Sequence, residues 1–361
     1  MRAVVVRRGE REPTVVEQPR PEPAPDEALV RMLRVGVDGT DREVVRGAHG
    51  GFPSGADEMV LGHEAVGVVA DANGTDLTEG AVVVPTVRTP AAGGDRSWFE
   101  RDEADMAPWG SGDFHERGIA GADGYMAEYV ACPAPSLVRL PPEQAGDGFL
   151  VEPLSIAVKA LEHAEAARSA FDWQPESAMV LGNGSLGLLA LGLLDADSRF
   201  DRLYCLGRRD RPDPTLDVVD GLGATYVDSR ETPVETVADV HEPMDLVFEA
   251  TGYARHAVET VHALAAGGVG ALLGVPEDWQ FEVEGGHLHR ELVLNNKALV
   301  GSVNSNRRHL AAASSRLASL PGWLVDRVVT GVYPPDQLDA AFTDDDTTIK
   351  TAVELNEYEE R

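Results

Sequence analysis

The chain has 361 residues, of which 61 are acidic and 31 are basic, so its formal net charge is −30 at pH 7. Nucleic acids and anionic membranes bind clusters of lysine and arginine, so neither is an expected partner. The length is sufficient for two domains with separate hydrophobic cores.

The charged residues are unusual in kind as well as in number. Acidic residues are spread along the whole chain, and the basic residues are almost all arginine, with lysine only at Lys159, Lys297 and Lys350. Dispersed acid with little lysine indicates a halophilic protein, because dissolved cations screen the repulsion between carboxylates. The alternative is an ordinary acidic cytosolic protein.

No segment of the sequence indicates export or a membrane anchor. The first ten residues, MRAVVVRRGE, are too short and too charged for a signal peptide. No apolar run reaches the ~18 residues that a membrane-spanning helix requires. We therefore expect a soluble, cytoplasmic protein. Cys132 and Cys205 lie in apolar runs, which predicts two buried thiols rather than a disulfide.

Residues 1–154 are predicted to form a β-rich domain. The segments 3–6, 65–69 and 81–85 have the apolar, β-branched composition of short strands, and Gly and Pro turns separate them. Residues 298–361 have a mixed pattern and are predicted to return to this domain as its C-terminal segment.

Four side chains of this first domain are candidate metal ligands. Imidazole and carboxylates suit zinc, and a site with one open position would make the metal a Lewis acid. Each residue alone also has a structural interpretation, as a core histidine, an ion-paired acid or a turn former. Their joint occurrence ahead of a nucleotide-binding pattern favours a metal site with three protein ligands from among Asp38, His63, Glu64 and Glu152.

Residues 155–297 are predicted to form a dinucleotide-binding domain. Strand-like segments at 180–181, 203–206, 224–227, 245–250 and 269–274 alternate with helical stretches. This alternation predicts a doubly wound parallel sheet that helices cover on both faces, so the fold class is α/β.

A glycine-rich turn follows the first of these strands and opens a helix. Its spacing is G-x-G-x-x-G, in which the glycines permit a tight turn, close approach of a pyrophosphate and close helix packing. The helix N-terminus supplies amide donors to the phosphate. The predicted cofactor-binding residues are Gly182, Asn183, Gly184, Ser185, Leu186 and Gly187.

The end of the second strand indicates which dinucleotide binds. NAD-specific proteins have an acidic residue there that holds the ribose 2′-hydroxyl, whereas this chain has Arg208 and Arg209. Guanidinium groups bind a 2′-phosphate, so the sequence favours NADP. Asp210 keeps NAD as an alternative cofactor.

Several of these motifs together resemble the zinc-containing medium-chain dehydrogenases. The motifs are GHEAVGVV at 62–69, EPL at 152–154, GNGSLG at 182–187 and EATG at 249–252. Within that family the chain is most similar to the archaeal, salt-adapted glucose dehydrogenases, through GTDRE at 39–43, VEPLS at 151–155 and GSVNSN at 301–306. The resemblance implies a GroES-like catalytic domain joined to a Rossmann domain.

The resemblance also implies roles for individual residues. Asp38 stands where most of the family has a cysteine ligand, His63 matches the histidine ligand, and Glu152 matches the later carboxylate ligand. Glu64 either ligates zinc, directly or through water, or acts as a general base. Thr40 matches a hydroxyl that relays the proton. The resemblance further implies a cofactor contact for Thr251, substrate contacts for Thr40, Glu116 and Glu152, and contacts with both sugar and cofactor for Asn304.

The family comparison implies one catalytic zinc per chain and a homo-oligomer, either a dimer or a tetramer. No structural zinc is expected, because residues 88–122 lack the four cysteines that bind it in many relatives. The implied reaction is oxidation of β-D-glucose at C1 to gluconolactone with hydride transfer to NADP. The alternatives are another medium-chain sugar or alcohol dehydrogenase or reductase, with or without zinc, and a non-catalytic NADP-binding sensor.

Overall fold

The computed structural model describes residues 1–359 and divides into two compact units. The first unit comprises Met1–Ser155, Asn304–Ala318 and the chain from Val329 onward, and the second comprises Ile156–Val303 and Ser319–Val328. Residues 360–361 of the predicted C-terminal segment lie outside the described residues.

Strands and helices are numbered in chain order. The β-strands are β1 (Arg2–Arg7), β2 (Thr14–Glu17), β3 (Glu27–Val37), β4 (Glu58–Val60), β5 (Ala65–Asp71), β6 (Val82–Pro85), β7 (Arg88–Pro90), β8 (Phe114–Arg117), β9 (Gly121–Ala122), β10 (Tyr129–Pro133), β11 (Leu137–Leu140), β12 (Ser177–Leu181), β13 (Arg202–Gly207), β14 (Thr225–Asp228), β15 (Met244–Glu249), β16 (Leu264–Leu272), β17 (Ala298–Gly301), β18 (Val329–Tyr333) and β19 (Lys350–Glu354). The α-helices are α1 (Gly39–Arg46), α2 (Ser97–Glu100), α3 (Val151–Arg168), α4 (Ser185–Asp195), α5 (Pro214–Gly221), α6 (Val237–Val240), α7 (His256–Ala263), α8 (Gly285–Leu294), α9 (Arg307–Leu317), α10 (Gly322–Val328) and α11 (Leu338–Ala341).

The first unit is built around the long strand β3. The main sheet has the order β11-β6-β5-β3-β19-β18, and β10 also pairs with β3. Two further sheets, β2-β1-β4 and β7-β8-β9, complete the unit. The β-branched runs predicted as strands fill its core, because their alternate side chains pack between the layers.

The register of this sheet brings distant parts of the chain together at one end of β3. Val37 of β3 pairs with Thr351 of β19, and Val35 pairs with Ala65 of β5. The residues that lie immediately beyond these pairs therefore meet where β3 ends.

The second unit contains a parallel sheet with the order β14-β13-β12-β15-β16-β17. This is the strand order of a dinucleotide-binding fold, in which the crevice lies beyond the carboxyl ends of the central strands. The predicted doubly wound α/β fold is confirmed.

One strand of this sheet differs from the predicted organisation. Ala298–Gly301 pairs in parallel with β16 and forms the sixth strand, whereas the sequence analysis began the C-terminal return segment at residue 298. The first unit resumes only at Asn304. A four-residue edge strand is too short to give a periodic signal, which explains the difference.

Two further expectations concern membranes and cysteines. Among residues 1–359, no helix is both long enough and apolar enough to cross a membrane. Cys132 and Cys205 are both buried free thiols, as predicted. Burial raises the pKa of Cys132 to about 11 and that of Cys205 to about 12, so both stay protonated at neutral pH.

Candidate active site

The structure places the four predicted metal ligands in the first unit, in two groups that share His63: one contains Asp38 and the other contains Glu64 and Glu152. Asp38 directly follows β3, His63 and Glu64 directly precede β5, and Glu152 lies in the first turn of α3. His63, Glu64 and Glu152 are buried, with 6%, 2% and 6% of their surface exposed. One donor atom from each of these three residues lies within 4.8 Å of the others.

The imidazole of His63 is held between two carboxylates. Its Nε2 atom lies 3.6 Å from Oδ2 of Asp38, and its Nδ1 atom lies 3.6 Å from Oδ1 of Asp41. A histidine that ligates a metal commonly donates its other ring N–H to a carboxylate, which fixes the ring orientation. The ring therefore has Nε2 on the side of Asp38, a predicted metal ligand, and Nδ1 beside Asp41.

Asp38 and Asp41 are themselves fixed by the start of α1. Oδ1 of Asp38 accepts from the backbone N–H of Asp41 at 2.9 Å, and Oδ2 of Asp41 accepts from the backbone N–H of Asp38 at 3.1 Å. This reciprocal capping box leaves Oδ2 of Asp38 and Oδ1 of Asp41 for His63. The sequence analysis missed Asp41, although its position three residues after a helix-capping aspartate was a usable signal.

A second residue that the sequence analysis missed is Lys350. Its ammonium group pairs with Oε2 of Glu64, and its side chain is 1% exposed. Glu64 fits this position because Gly36 of β3 has no side chain, and a Cβ atom there would collide with the carboxylate. The sequence signal that could have identified Lys350 as a site residue is a lysine at the start of an apolar strand, in a chain with only three lysines.

Burial and neighbouring charges shift the pKa values of the cluster. Burial would raise the pKa of Asp38, but the charges of His63 and Lys350 lower it to about 2. Burial opposes a charge on His63, yet the carboxylate of Asp38 raises its pKa well above the ordinary value. Burial raises the pKa of Glu152 to about 8 against the opposing charge of His63. Burial also raises the pKa of Glu64, although Lys350 opposes this shift.

These residues fit a zinc ion. Zinc bonds to imidazole nitrogen and carboxylate oxygen are about 2.0–2.2 Å long, so donors grouped within 4.8 Å need only small movements to share one ion. Among residues 1–359, no side-chain hydrogen bond reaches the carboxylate of Glu152. The buried Nδ1 atom of His63 and Oδ1 atom of Asp41 face each other at 3.6 Å, so they orient the ring and are not counted as metal donors. A buried carboxylate with unused acceptor capacity, such as that of Glu152, is what a metal site provides.

The predicted phosphate loop has the geometry that its glycines suggested. Gly182 has a φ of +108°, a conformation that other residues rarely adopt. Gly187 lies against the backbone carbonyl of Gly182, where a Cβ atom would collide. Gly184 is the N-cap of α4, so Ser185 and Leu186 present the unpaired N–H groups of its first turn.

The side chains around this loop are also ordered. The Asn183 amide donates to the Thr215 hydroxyl at 2.6 Å. Thr251 lies two residues after the end of β15, and its N–H donates to Glu249 at 2.8 Å. Since β12 and β15 are parallel neighbours, Thr251 and the phosphate loop lie at the same edge of the sheet.

The two arginines lie at the end of β13, on the same edge. Arg208 is exposed, and the backbone of Arg209 is held by the Tyr226 hydroxyl, which accepts its N–H at 2.8 Å. Asp210, the residue that kept NAD as an alternative, is bound by both terminal nitrogens of Arg230, at 2.6 and 3.1 Å. Arg230 also pairs with Asp228. The acidic side chain near the predicted 2′-phosphate position is therefore neutralised.

Thr40 and Glu116 occupy different environments. Thr40 lies half-buried in the first turn of α1, two residues after Asp38. Glu116 is 5% exposed and pairs with Arg88 at 3.0 Å. Two residues later, Gly118 packs directly against the backbone of Gly62, the neighbour of His63. Glu116 is thus a buried residue near the metal cluster, and its predicted sugar contact stays a prediction.

Comparison with known proteins gives matches over nearly the whole chain. Residues 24–142 match the family model for the alcohol dehydrogenase GroES-like domain, and residues 145–355 match that for the glucose dehydrogenase C-terminus. A glucose 1-dehydrogenase from Haloterrigena turkmenica is 61% identical over 99% of this chain and 100% of its own length.

Two solved structures of a glucose dehydrogenase are also similar to this chain over nearly its whole length. The Haloferax mediterranei glucose dehydrogenase in complex with NADP, Zn and gluconolactone is 62% identical, with a TM-score of 0.97 over 99% of this chain and all of its own. A structure of the D38C mutant of the Haloferax enzyme is 61% identical, with the same TM-score over 99% of this chain and 100% of its own.

Substitution of Asp38 tests the metal cluster. We predict that Asp38→Ala loses bound zinc, whereas Asp38→Cys retains it, because a thiolate is also a zinc ligand. Both changes remove the cap of α1, which costs about 0.5–2 kcal/mol of stability, so zinc per chain is the decisive readout. It is measured by elemental analysis after gel filtration.

Asp213→Ala is the matched control for loss of the cap. Asp213 caps α5 through a bond from the Thr215 N–H at 2.9 Å and lies in the second unit, outside the metal cluster. The control should lower the melting temperature without changing zinc content. A full complement of zinc in Asp38→Ala would remove Asp38 from the ligand set.

Proposed function

The chain belongs to the glucose dehydrogenase family of zinc-dependent medium-chain dehydrogenases, and on this premise we propose that it oxidises β-D-glucose at C1. The product is gluconolactone, and NADP accepts the hydride. The observation that carries the proposal is the buried group of His63, Glu64 and Glu152, with the half-buried Asp38 beside His63, because these donor types suit zinc. The relative solved with NADP, Zn and gluconolactone supports it.

The reaction divides into a proton step and a hydride step. The hydroxyl on C1 loses its proton. The hydrogen on C1 then leaves with both electrons of the C–H bond, as a hydride, and passes to the nicotinamide, while C1 and its oxygen form a C=O bond. Zinc, when bound, supplies a Lewis acid that stabilises negative charge developing on the C1 oxygen. The nicotinamide of NADP accepts the hydride, and the protein holds the sugar and the nicotinamide in place.

Thr40 relays the proton in this proposal: its hydroxyl accepts the proton from the C1 hydroxyl while it passes its own proton on towards the cofactor and solvent. Its hydroxyl both accepts and donates, as a relay requires, and α1 holds it two residues from Asp38. Glu64 is the alternative base, but its carboxylate is paired with the buried ammonium group of Lys350. We therefore assign Glu64 to metal ligation and charge balance, and Thr40 to proton transfer.

The second unit provides the cofactor site. Amide groups at the start of α4 face the pyrophosphate, and Arg208 and Arg209 bind the 2′-phosphate. Asp210 is kept from binding the ribose 2′-hydroxyl of NAD, because the guanidinium of Arg230 occupies both of its carboxylate oxygens. This arrangement favours NADP over NAD.

The direct test is turnover on a panel of sugars. We expect NADPH formation with glucose, slower reduction of NAD, and weaker activity with the epimer galactose and with xylose. Absorbance of the reduced cofactor gives the rates, and chromatography identifies gluconolactone. Highest activity on an unrelated alcohol would indicate a different medium-chain dehydrogenase, and no turnover with any substrate would indicate a non-catalytic NADP-binding protein.

Replacement of both arginines tests the cofactor assignment. We predict that Arg208→Ala with Arg209→Ala raises the Michaelis constant for NADP by about tenfold or more and leaves that for NAD nearly unchanged, because only NADP loses charged hydrogen bonds. Arg211→Ala is the control, since Arg211 is an exposed neighbour paired with Asp220 at 2.6 Å. Equal effects on the two cofactors would place the 2′-phosphate elsewhere.

Two expectations from the sequence stay predictions. They are assembly into a dimer or tetramer and a location in the cytoplasm. The expected absence of a structural zinc also rests on the missing cysteines of residues 88–122 alone.

A further inference from the structure

We propose that Arg88 is a positioning residue for sugar recognition: it fixes one carboxylate oxygen of Glu116 and leaves the other to a substrate hydroxyl. The inference rests on the proposed function, because it requires a sugar as the substrate. Arg88 contacts neither metal ligand nor cofactor in this scheme and acts through Glu116.

Arg88 and Glu116 form a buried pair on neighbouring strands. They are direct partners in the antiparallel pairing of β7 with β8. The Arg88 Nε atom donates to Oε1 of Glu116 at 3.0 Å, and the two side chains are 1% and 7% exposed. The guanidinium also lies over the Phe114 ring, 3.8 Å from its centroid. Loss of the arginine would leave a buried carboxylate without its counter-charge.

The other end of the guanidinium is fixed by the backbone. Arg88 Nη1 donates to the carbonyl oxygens of Ala104, Asp105 and Ala107 at 3.1, 3.2 and 3.3 Å. With one edge on these carbonyls and the other on Glu116, the planar group has no freedom to follow a moving carboxylate. Its contacts therefore set the position of Glu116.

Asn304 binds the same oxygen of Glu116. Its Nδ2 atom donates to Oε1 at 3.3 Å. The Asn304 amide is oriented by the Ser305 N–H, which donates to its Oδ1 at 2.7 Å. Within residues 1–359, both hydrogen bonds to the Glu116 carboxylate end on Oε1, and none reaches Oε2. Oε2 therefore retains its capacity to accept a hydrogen bond from a ligand.

A chain of polar contacts connects Glu116 to the metal cluster. Asn304 leads to Ser305, whose hydroxyl lies 2.7 Å from that of Ser155. The Ser155 hydroxyl donates to the backbone carbonyl of Glu152 at 2.5 Å. The carboxylate that Arg88 holds is thus tied to the helix turn that presents a candidate zinc ligand.

The test measures steady-state kinetics of Arg88→Met, Glu116→Gln and the double variant. We expect Arg88→Met to raise the Michaelis constant for glucose by about tenfold or more and to reduce the preference for glucose over its epimers. The Michaelis constant for NADP and the zinc content should stay at wild-type values. In the Glu116→Gln background the arginine change should add little, because its effect passes through that carboxylate.

Arg34→Met is the matched control for loss of a structural arginine. Arg34 also lies in the first unit, donates to Glu354 at 2.9 Å and to the carbonyl of Gly146 at 3.0 Å, and has no contact with Glu116. It should lower stability without changing sugar preference. The proposal fails if Arg88→Met leaves the Michaelis constant for glucose unchanged, or if Arg34→Met raises it equally. It also fails if the increase in the double variant is the product of the increases in the two single variants.

Two further results are decisive. If Arg88→Met does not fold, Arg88→Lys replaces it, since an ammonium group keeps the charge but cannot span both Glu116 and the carbonyls. Wild-type sugar preference in Arg88→Lys would overturn the proposal. Failure of the wild-type protein to oxidise any sugar would overturn the proposed function and this inference together, whereas normal wild-type turnover with unaffected Arg88 variants would overturn only the inference.

Discussion

The concentration of buried charge around His63 is the constraint on which the first unit depends. Asp38, Glu64 and Glu152 place carboxylates near one imidazole, and Lys350 contributes a buried positive charge. Burial of an ion without compensation costs several kcal/mol. The neighbouring carboxylates raise the pKa of His63, and burial raises that of Glu152, so both shifts favour the protonated forms that reduce this buried charge. A divalent cation can replace those protons, because metal ligands must be deprotonated.

The rest of the unit prepares these side chains in advance. The register of β3 with β5 and β19 brings the ligand-bearing segments to one end of the sheet. The capping box fixes Asp38, and Asp41 orients the imidazole of His63. A site held in this way loses little conformational entropy when metal and substrate bind, which is the advantage of preorganisation. The hydrogen bonds from Arg88 and Asn304 fix the buried carboxylate of Glu116 in the same way.

Local spacing in the sequence predicts the phosphate loop, but it does not identify residues whose partners lie on other strands. The glycines of 182–187 and the strands around them predicted the phosphate loop, because a tight turn imposes its own residue pattern. Lys350 and Arg88 were missed, since each acquires its role from a partner on another strand, and no single-sequence pattern encodes strand register. The burial of Glu116 likewise depends on strand pairing and is not encoded in its local sequence.

Zinc titration of chelator-treated protein, followed by calorimetry and by melting temperature, tests the central claim most directly. The account predicts binding of one zinc ion per chain and a melting temperature that rises with zinc concentration, since a ligand that binds only the folded state stabilises it by about 2.7 kcal/mol at a hundred times its Kd. Replacement of His63 by Asn should abolish both effects. A melting temperature that does not respond to zinc, in a folded protein with the cluster intact, would contradict the claim that this buried charge exists to hold a cation.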